Sequence, residues 1–139
     1  MNRTIYFDYI EEKLNTLAVR IKTRNKLNLL ELNIHSENFF AGLCNIIFNL
    51  DLKNLNLLCQ NIDGIDLIDH KNKVVVQVSS TCTRSKIESS LSKDVYTKYK
   101  DYSYKFMSIS KDAPTTLKNN TFQNPHNMKF DPKKDIWDV

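Results

Sequence analysis

The chain has 139 residues, 41% of them hydrophobic and 26% charged, and a formal net charge of +4. That is the length of one domain with an ordinary globular balance, long enough to bury a core without disulfides or a structural metal. Such a composition excludes a low-complexity or fibrous chain, and its mild basicity permits contact with nucleic acid without requiring it.

Cys44, Cys59 and Cys82 are odd in number and widely spaced, with no CxxC pair. That pattern points to a reducing compartment, not a disulfide framework. His35, His70 and His126 are too scattered to complete a zinc site with them. No apolar run approaches the roughly 20 residues of a membrane span. Met1 to Phe7 lacks the continuous apolar core of a signal peptide, so a cytoplasmic location is expected. The abundance of Asn between Asn25 and Asn61 reads as compositional bias.

Residues 2–23 predict an amphipathic helix, with Ile5, Tyr9, Ile10, Leu14, Leu17, Ala18 and Ile21 at helical spacing. Residues 25–33 do not separate helix from extended chain. A second helix is expected to open at Ser36, a good N-cap residue, which places Glu37 in a first turn that favours carboxylates. Leu55 to Leu58 predicts a short strand, and Asn61 to Gly64 a turn. Gly64 to Asp69 and Lys73 to Ser79 then read as two strands joined by His70-Lys71-Asn72. The unbroken valines of the second strand predict a central position with both faces covered.

Beyond it, Ser80 to Thr83 is a polar loop, and Thr83 or Ser85 caps a helix carrying Ile87, Leu91 and Val95 on one side. Tyr104 to Ser110 predicts another strand. Ala113-Pro114 and residues 119–127 read as loops, and Met128 to Phe130 as a last short strand. Asp131-Pro132 marks a helix start. The chain stops at Val139 as Ile136 and Trp137 begin an apolar pattern, which suggests the N-terminal module of a longer protein. The expected fold is a single α/β domain over residues 1–139.

Asp66 and Gln77 fall on adjacent strands, where their side chains can meet at one end of the sheet. Asp is depleted in strands, and an amide between Val76 and Val78 needs partners. Two oxygen donors on neighbouring strands suit Mg²⁺ or Mn²⁺, with water and a substrate phosphate completing the shell. Such an ion polarises a phosphate and activates water, and a nearby lysine stabilises the developing charge. Asp69 is expected either to face away from Asp66 or to close the turn. Ser79, Ser80 and Thr81 could meet a phosphate backbone or simply form a capped loop. The Lys- and Tyr-rich stretch from Lys93 to Lys105 suits nucleic acid. It reads more simply as tyrosines packed on the sheet with solvated lysines.

The acid on one strand followed by Gln77-Val78-Ser79 on the next resembles the PD-(D/E)XK nuclease superfamily. Ser36-Glu37-Asn38-Phe39-Phe40, Leu52-Lys53-Asn54-Leu55-Asn56, Gly64-Ile65-Asp66-Leu67-Ile68-Asp69, Gln77-Val78-Ser79-Ser80 and Ser85-Lys86-Ile87 are similar to the bacterial SMEK-domain family. The resemblance implies a restriction-endonuclease-like mixed sheet flanked by helices, preceded by N-terminal helices. It implies Mg²⁺- or Mn²⁺-dependent DNA cleavage in antiphage defence, with Asp66, Gln77 and Glu37 as metal ligands. It also implies Lys86, on the following helix, as the catalytic lysine, and a partner effector protein or C-terminal domain. Gln77 in place of an acid and Ser79 in place of a lysine motivate the alternative, a catalytically decayed module that binds DNA or a partner protein. A third reading is a homodimer paired through the first helix.

Overall fold

The computed structural model describes residues 2–29, 31–58, 62–110 and 112–138. Two helices lead the chain: α1, Arg3–Lys26, and α2, Glu31–Phe48. The first is capped by Asn2, whose Oδ1 accepts from the Ile5 N–H at 3.4 Å. It extends past the expected residue 23, and α2 opens well before Ser36. Ser36 is a buried mid-helix residue whose hydroxyl donates to the Leu32 carbonyl at 2.6 Å. The N-cap expected there is thus corrected, and Glu37 lies in the second turn, beyond the reach of the helix dipole argument.

Strand β1, Lys53–Asn54, is followed at once by a helical turn, α3, Leu55–Leu58, where a strand was expected. Asn61 and Cys59 lie outside the described residues. Strand β2 is Leu67–Asp69, shorter than the expected Gly64 to Asp69, and β3 is Val74–Ser79. Thr83 caps α4, Arg84–Leu91, with its hydroxyl accepting from the Lys86 N–H at 3.2 Å. Val95 falls beyond that helix, in a 3-10 turn, Asp94–Lys98. Strand β4 is Ser103–Ser108. Short helices α5, Thr115–Lys118, and α6, Pro132–Asp135, follow. Asp131 caps the latter as its sequence foretells. Ile136–Trp137, which the sequence shows only as the start of an apolar pattern, forms strand β5. Lys129 makes a single bridge to Ser103 instead of a strand.

The described strands form one mixed sheet in the order β1-β2-β3-β4-β5. β1, β2 and β3 are antiparallel neighbours, whereas β3, β4 and β5 run parallel. β3 sits at the centre, as its valines foretell, and divides the core by alternation. Val75 packs with Tyr104, Phe106, Ile87 and Leu91 on the α4 side. Val74, Val76 and Val78 pack with Ile21, Phe40 and Cys44 on the α1–α2 side. The tyrosines follow the packing reading: Tyr96 and Tyr104 are fully buried, and Tyr99 and Tyr102 are half-buried. Cys44 and Cys82 are both buried and in no disulfide. No helix among the described residues is long and apolar enough to cross a membrane.

The β2–β3 turn is built on Asp69, which is fully buried. Its carboxylate accepts from the Asp51 N–H at 2.7 Å, the Asn72 N–H at 2.9 Å and the Asn72 side-chain amide at 2.7 Å. Of its two expected roles, it closes the turn. Burial pushes its carboxyl up, but the hydrogen bonds from Asn72, Asp51 and Lys71 outweigh this and hold it below the usual range. A carboxyl lowered in the folded state contributes fully above its unfolded value, and the contribution is lost as pH falls through the folded one. Asp69→Ala is expected to cost roughly 2–3 kcal/mol in urea unfolding at neutral pH, with the gap to the parent protein narrowing as the pH is lowered below about 4.

Candidate functional site

Gly64, with φ at +105°, turns the chain into the segment that carries Asp66. A Cβ on it would lie 2.9 Å from the Lys93 side chain, so only glycine fits this approach. Its carbonyl accepts from the buried Tyr96 hydroxyl. Asp66 itself stands one residue ahead of β2, yet it is locked to the sheet. Its N–H donates to the Val76 carbonyl at 3.0 Å, and its carbonyl accepts from the Leu55 N–H at 2.8 Å. Asp66 Oδ2 then accepts from the Val78 N–H at 2.7 Å and from Gln77 Nε2 at 2.5 Å.

Gln77 is held at both ends. While its Nε2 faces Asp66, its Oε1 accepts from the Ser90 hydroxyl of α4 at 3.3 Å. Ser90 Oγ in turn accepts from the Tyr104 hydroxyl at 2.9 Å. A relay therefore runs from the core, Tyr104 to Ser90 to Gln77, and ends on the Asp66 carboxylate. A serine hydroxyl both donates and accepts, so Ser90 can serve either end of the amide.

Glu37, on α2, is 9% exposed and points at the same rim. Its Oε2 accepts from Asn54 Nδ2 and Asn56 Nδ2, each at 3.2 Å. Lys86 is an exposed residue in the first turn of α4. Glu37 and Lys86 line one open cleft of about 280 Å³, with Asn33 and the end of β3 from Val78 to Thr81. Asp66 lies behind that wall, bound to the Val78 N–H. The four side chains singled out in the sequence therefore gather at the C-terminal end of β3.

The electrostatics reflect that gathering. Burial is the largest influence on Asp66 and raises its carboxyl; the Val78 N–H lowers it, the Glu37 charge raises it, and Asn56 and Lys86 lower it. The balance leaves the group at about 6. The Glu37 charge is one of the influences that raise Asp66. Glu37, Asp66 and the Gln77 amide oxygen are hard donors of the kind Mg²⁺ and Mn²⁺ select. The donor chemistry fits such an ion with these as its ligands. Among the described residues no three His, Cys, Asp or Glu side chains gather to hold one.

Ser79, Ser80 and Thr81 are tied into the loop. Ser79 Oγ donates to the Thr81 carbonyl and accepts from its N–H, both at 3.0 Å, and Ser80 Oγ accepts from Asn25 Nδ2 at 2.7 Å. Asn54 and Asn56 stand in the Leu52-Lys53-Asn54-Leu55-Asn56 motif of the family resemblance without an assigned role, and Ser90 stands in none; the spacing of two between the asparagines, just ahead of the Asp66 segment, is the signal that marks them as a pair.

The family model described as SMEK domain matches residues 9–139. No curated protein and no solved structure gives a significant match.

A carboxyl raised by folding stabilises the protein most below its unfolded value, and that contribution is lost as pH rises through about 6. Ionised Asp66 then costs on the order of 3 kcal/mol by about pH 8. Urea midpoints measured across this range should fall with rising pH in the parent protein, and Asp66→Asn should remove that slope. Ser90→Ala should cost roughly 1–3 kcal/mol in the same assay, because it strands the buried Tyr104 hydroxyl and one end of the Gln77 amide.

Proposed function

We propose that this chain, which belongs to the SMEK-domain family, is a metal-dependent DNA endonuclease module with a restriction-endonuclease-like core. The observation that carries the reading is the convergence of Glu37, Asp66, Gln77 and Lys86 at the end of the central strand. These four come from a helix, a pre-strand segment, a strand and a second helix, so nothing local in the sequence forces them together. A mixed sheet whose central strand ends at an acidic, lysine-bearing cleft supports the same core.

In this reading Glu37, Asp66 and Gln77 hold Mg²⁺ or Mn²⁺. The ion, when bound, polarises a scissile phosphate and lowers the pKa of an attacking water. Asn54 and Asn56 fix Glu37 for this work. The Val78 N–H and the Ser90–Gln77 relay fix Asp66. The Lys86 ammonium, in the mouth of the cleft, neutralises charge that builds on the phosphate oxygens. The DNA backbone enters the open cleft, and a net charge of +4 favours its approach. A role in antiphage defence, in the cytoplasm and alongside an effector partner or further domain, completes the reading.

A second reading, the decayed module that binds DNA or a partner protein, is favoured by one specific observation. Gln77 offers its NH₂, not its oxygen, to Asp66, and Ser79, where a lysine would stand, is engaged with Thr81.

Purified protein should nick plasmid DNA with Mn²⁺ or Mg²⁺ and not with EDTA. Asp66→Ala should abolish cleavage, and Lys86→Ala should lower it by about 100-fold. DNA binding without turnover, together with no heat of metal binding in calorimetry, would establish the decayed module instead.

A further inference from the structure

The second half of α1 carries cations and no acids. From Lys13 to Leu30 the sequence holds Lys13, Arg20, Lys22, Arg24 and Lys26 and no Asp or Glu. Lys13 pairs with Glu12 at 3.2 Å. Among the described residues the other four form no ion pair. Together they equal the net charge of the whole chain, +4, so cations and acids balance everywhere else. The negative end of the helix dipole accounts for Arg24 and Lys26, which stand in the last turn. It does not account for Arg20 and Lys22, which stand before that turn. Arg20, Lys22 and Lys26 are exposed, and Arg24 is half-buried.

Packing sets these cations on the lip of the cleft. Ile21 is fully buried with Val76 and Val78 of β3. One turn on, Asn25 Nδ2 donates to Ser80 Oγ at 2.7 Å, and Ser80 lines the cleft with Glu37 and Lys86. Ile21 and Asn25 thus share the inward face of the helix, with Arg20 and Arg24 along one flank of it and Lys22 and Lys26 along the other. All four stand within about 8 Å of Asn25 along the helix axis. The acids on neighbouring elements do not cancel them. Glu31, exposed, opens α2. Asp112 lies with Glu11 and Asn15 beside the first half of α1. Glu37 and Asp66 belong to the cleft itself. A second group of exposed lysines, Lys98, Lys100 and Lys129, adjoins the start of β4. Because β4 runs parallel to β3, that group lies at the opposite end of the sheet. Unpaired Lys and Arg heads on long stems neutralise a phosphate backbone without reading its sequence. From Arg20 to Lys26 the helix rises about 9 Å, the length of two or three nucleotide steps on one strand.

We propose that the basic half of α1 is the surface that holds the DNA backbone beside the cleft, with Arg20, Lys22 and Lys26 on its phosphates. The inference rests on the reading of the cleft as a DNA site, catalytic or decayed. It is tested by fluorescence anisotropy of a labelled duplex of about 20 base pairs, in EDTA, between about 50 and 200 mM salt. Arg20→Gln, Lys22→Gln and Lys26→Gln in one chain should weaken binding at least about tenfold and lower the slope of log affinity against log salt by about 2 to 3. Gln matches Lys and Arg in helix propensity, so the circular dichroism spectrum should not change. The charge-preserving set Arg20→Lys, Lys22→Arg and Lys26→Arg should bind as the parent does. Lys98→Gln, Lys100→Gln and Lys129→Gln remove the same charge at the far end of the sheet and should leave the slope unchanged. A parent-like slope in the first variant, or equal losses in the first and the last, would overturn the proposal and leave the DNA reading of the cleft standing. A parent chain that binds no DNA would overturn both. Binding to vesicles of anionic lipid in place of DNA, lost in the first variant, would overturn it in favour of a membrane surface.

Discussion

A carboxylate placed at the rim of a covered sheet has to be answered by its neighbours, and the local structure around Asp66 is the answer. Its oxygen takes one backbone N–H from the central strand and one side-chain amide from the residue before it. That amide is itself held by a serine on α4, and the serine by a core tyrosine. The acid thereby ties β2, β3, α4 and β4 into one polar chain that crosses the apolar core. Such chains are costly when broken and specific when complete.

The same constraint accounts for the identity of Gln77. β3 is buried on both sides, and every other residue from Val74 to Val78 is valine. A third carboxylate, beside Asp66 and Glu37, would add a third negative charge to a half-buried cluster. An amide supplies a donor to Asp66 and an acceptor to Ser90, so it is satisfied at both ends in the absence of an ion. Gln77 thus explains how the cluster folds at neutral pH, with its NH₂ on Asp66 and its oxygen on Ser90.

Much of the fold was legible in the sequence because its signals are local. The valine run from Val74 to Val76 announced a central strand, and the Thr83 and Asp131 caps announced their helices. What failed was decided by tertiary context. Ser36 looks like a cap, but the apolar face of α2 begins at Leu32, so the helix opens earlier and the serine hydroxyl turns back on the Leu32 carbonyl. Ile136 and Trp137 read only as the start of an apolar pattern, and the open edge of β4 recruits them as a parallel strand. At the site, Gln77 bonds Asp66, and Glu37 and Lys86 line the cleft beside them. The roles of the residues that hold them, Asn54, Asn56 and Ser90, were not legible, because polar residues of ordinary type acquire meaning only from what they face. Nothing in the sequence before the fold could place Asn54 against Glu37, 17 residues away.

Asp66 is a half-buried acid whose carboxyl is raised by desolvation and by the Glu37 charge, in the cluster proposed to take a divalent cation. The most direct measurement is the pH titration of the Asp66 side-chain carbon by NMR, with and without Mg²⁺, assigned by comparison with Asp66→Asn. A midpoint at about 6 is expected without the ion and a clear displacement to lower pH with it. A midpoint in the ordinary carboxylate range, unmoved by Mg²⁺, would contradict both the burial and the metal reading.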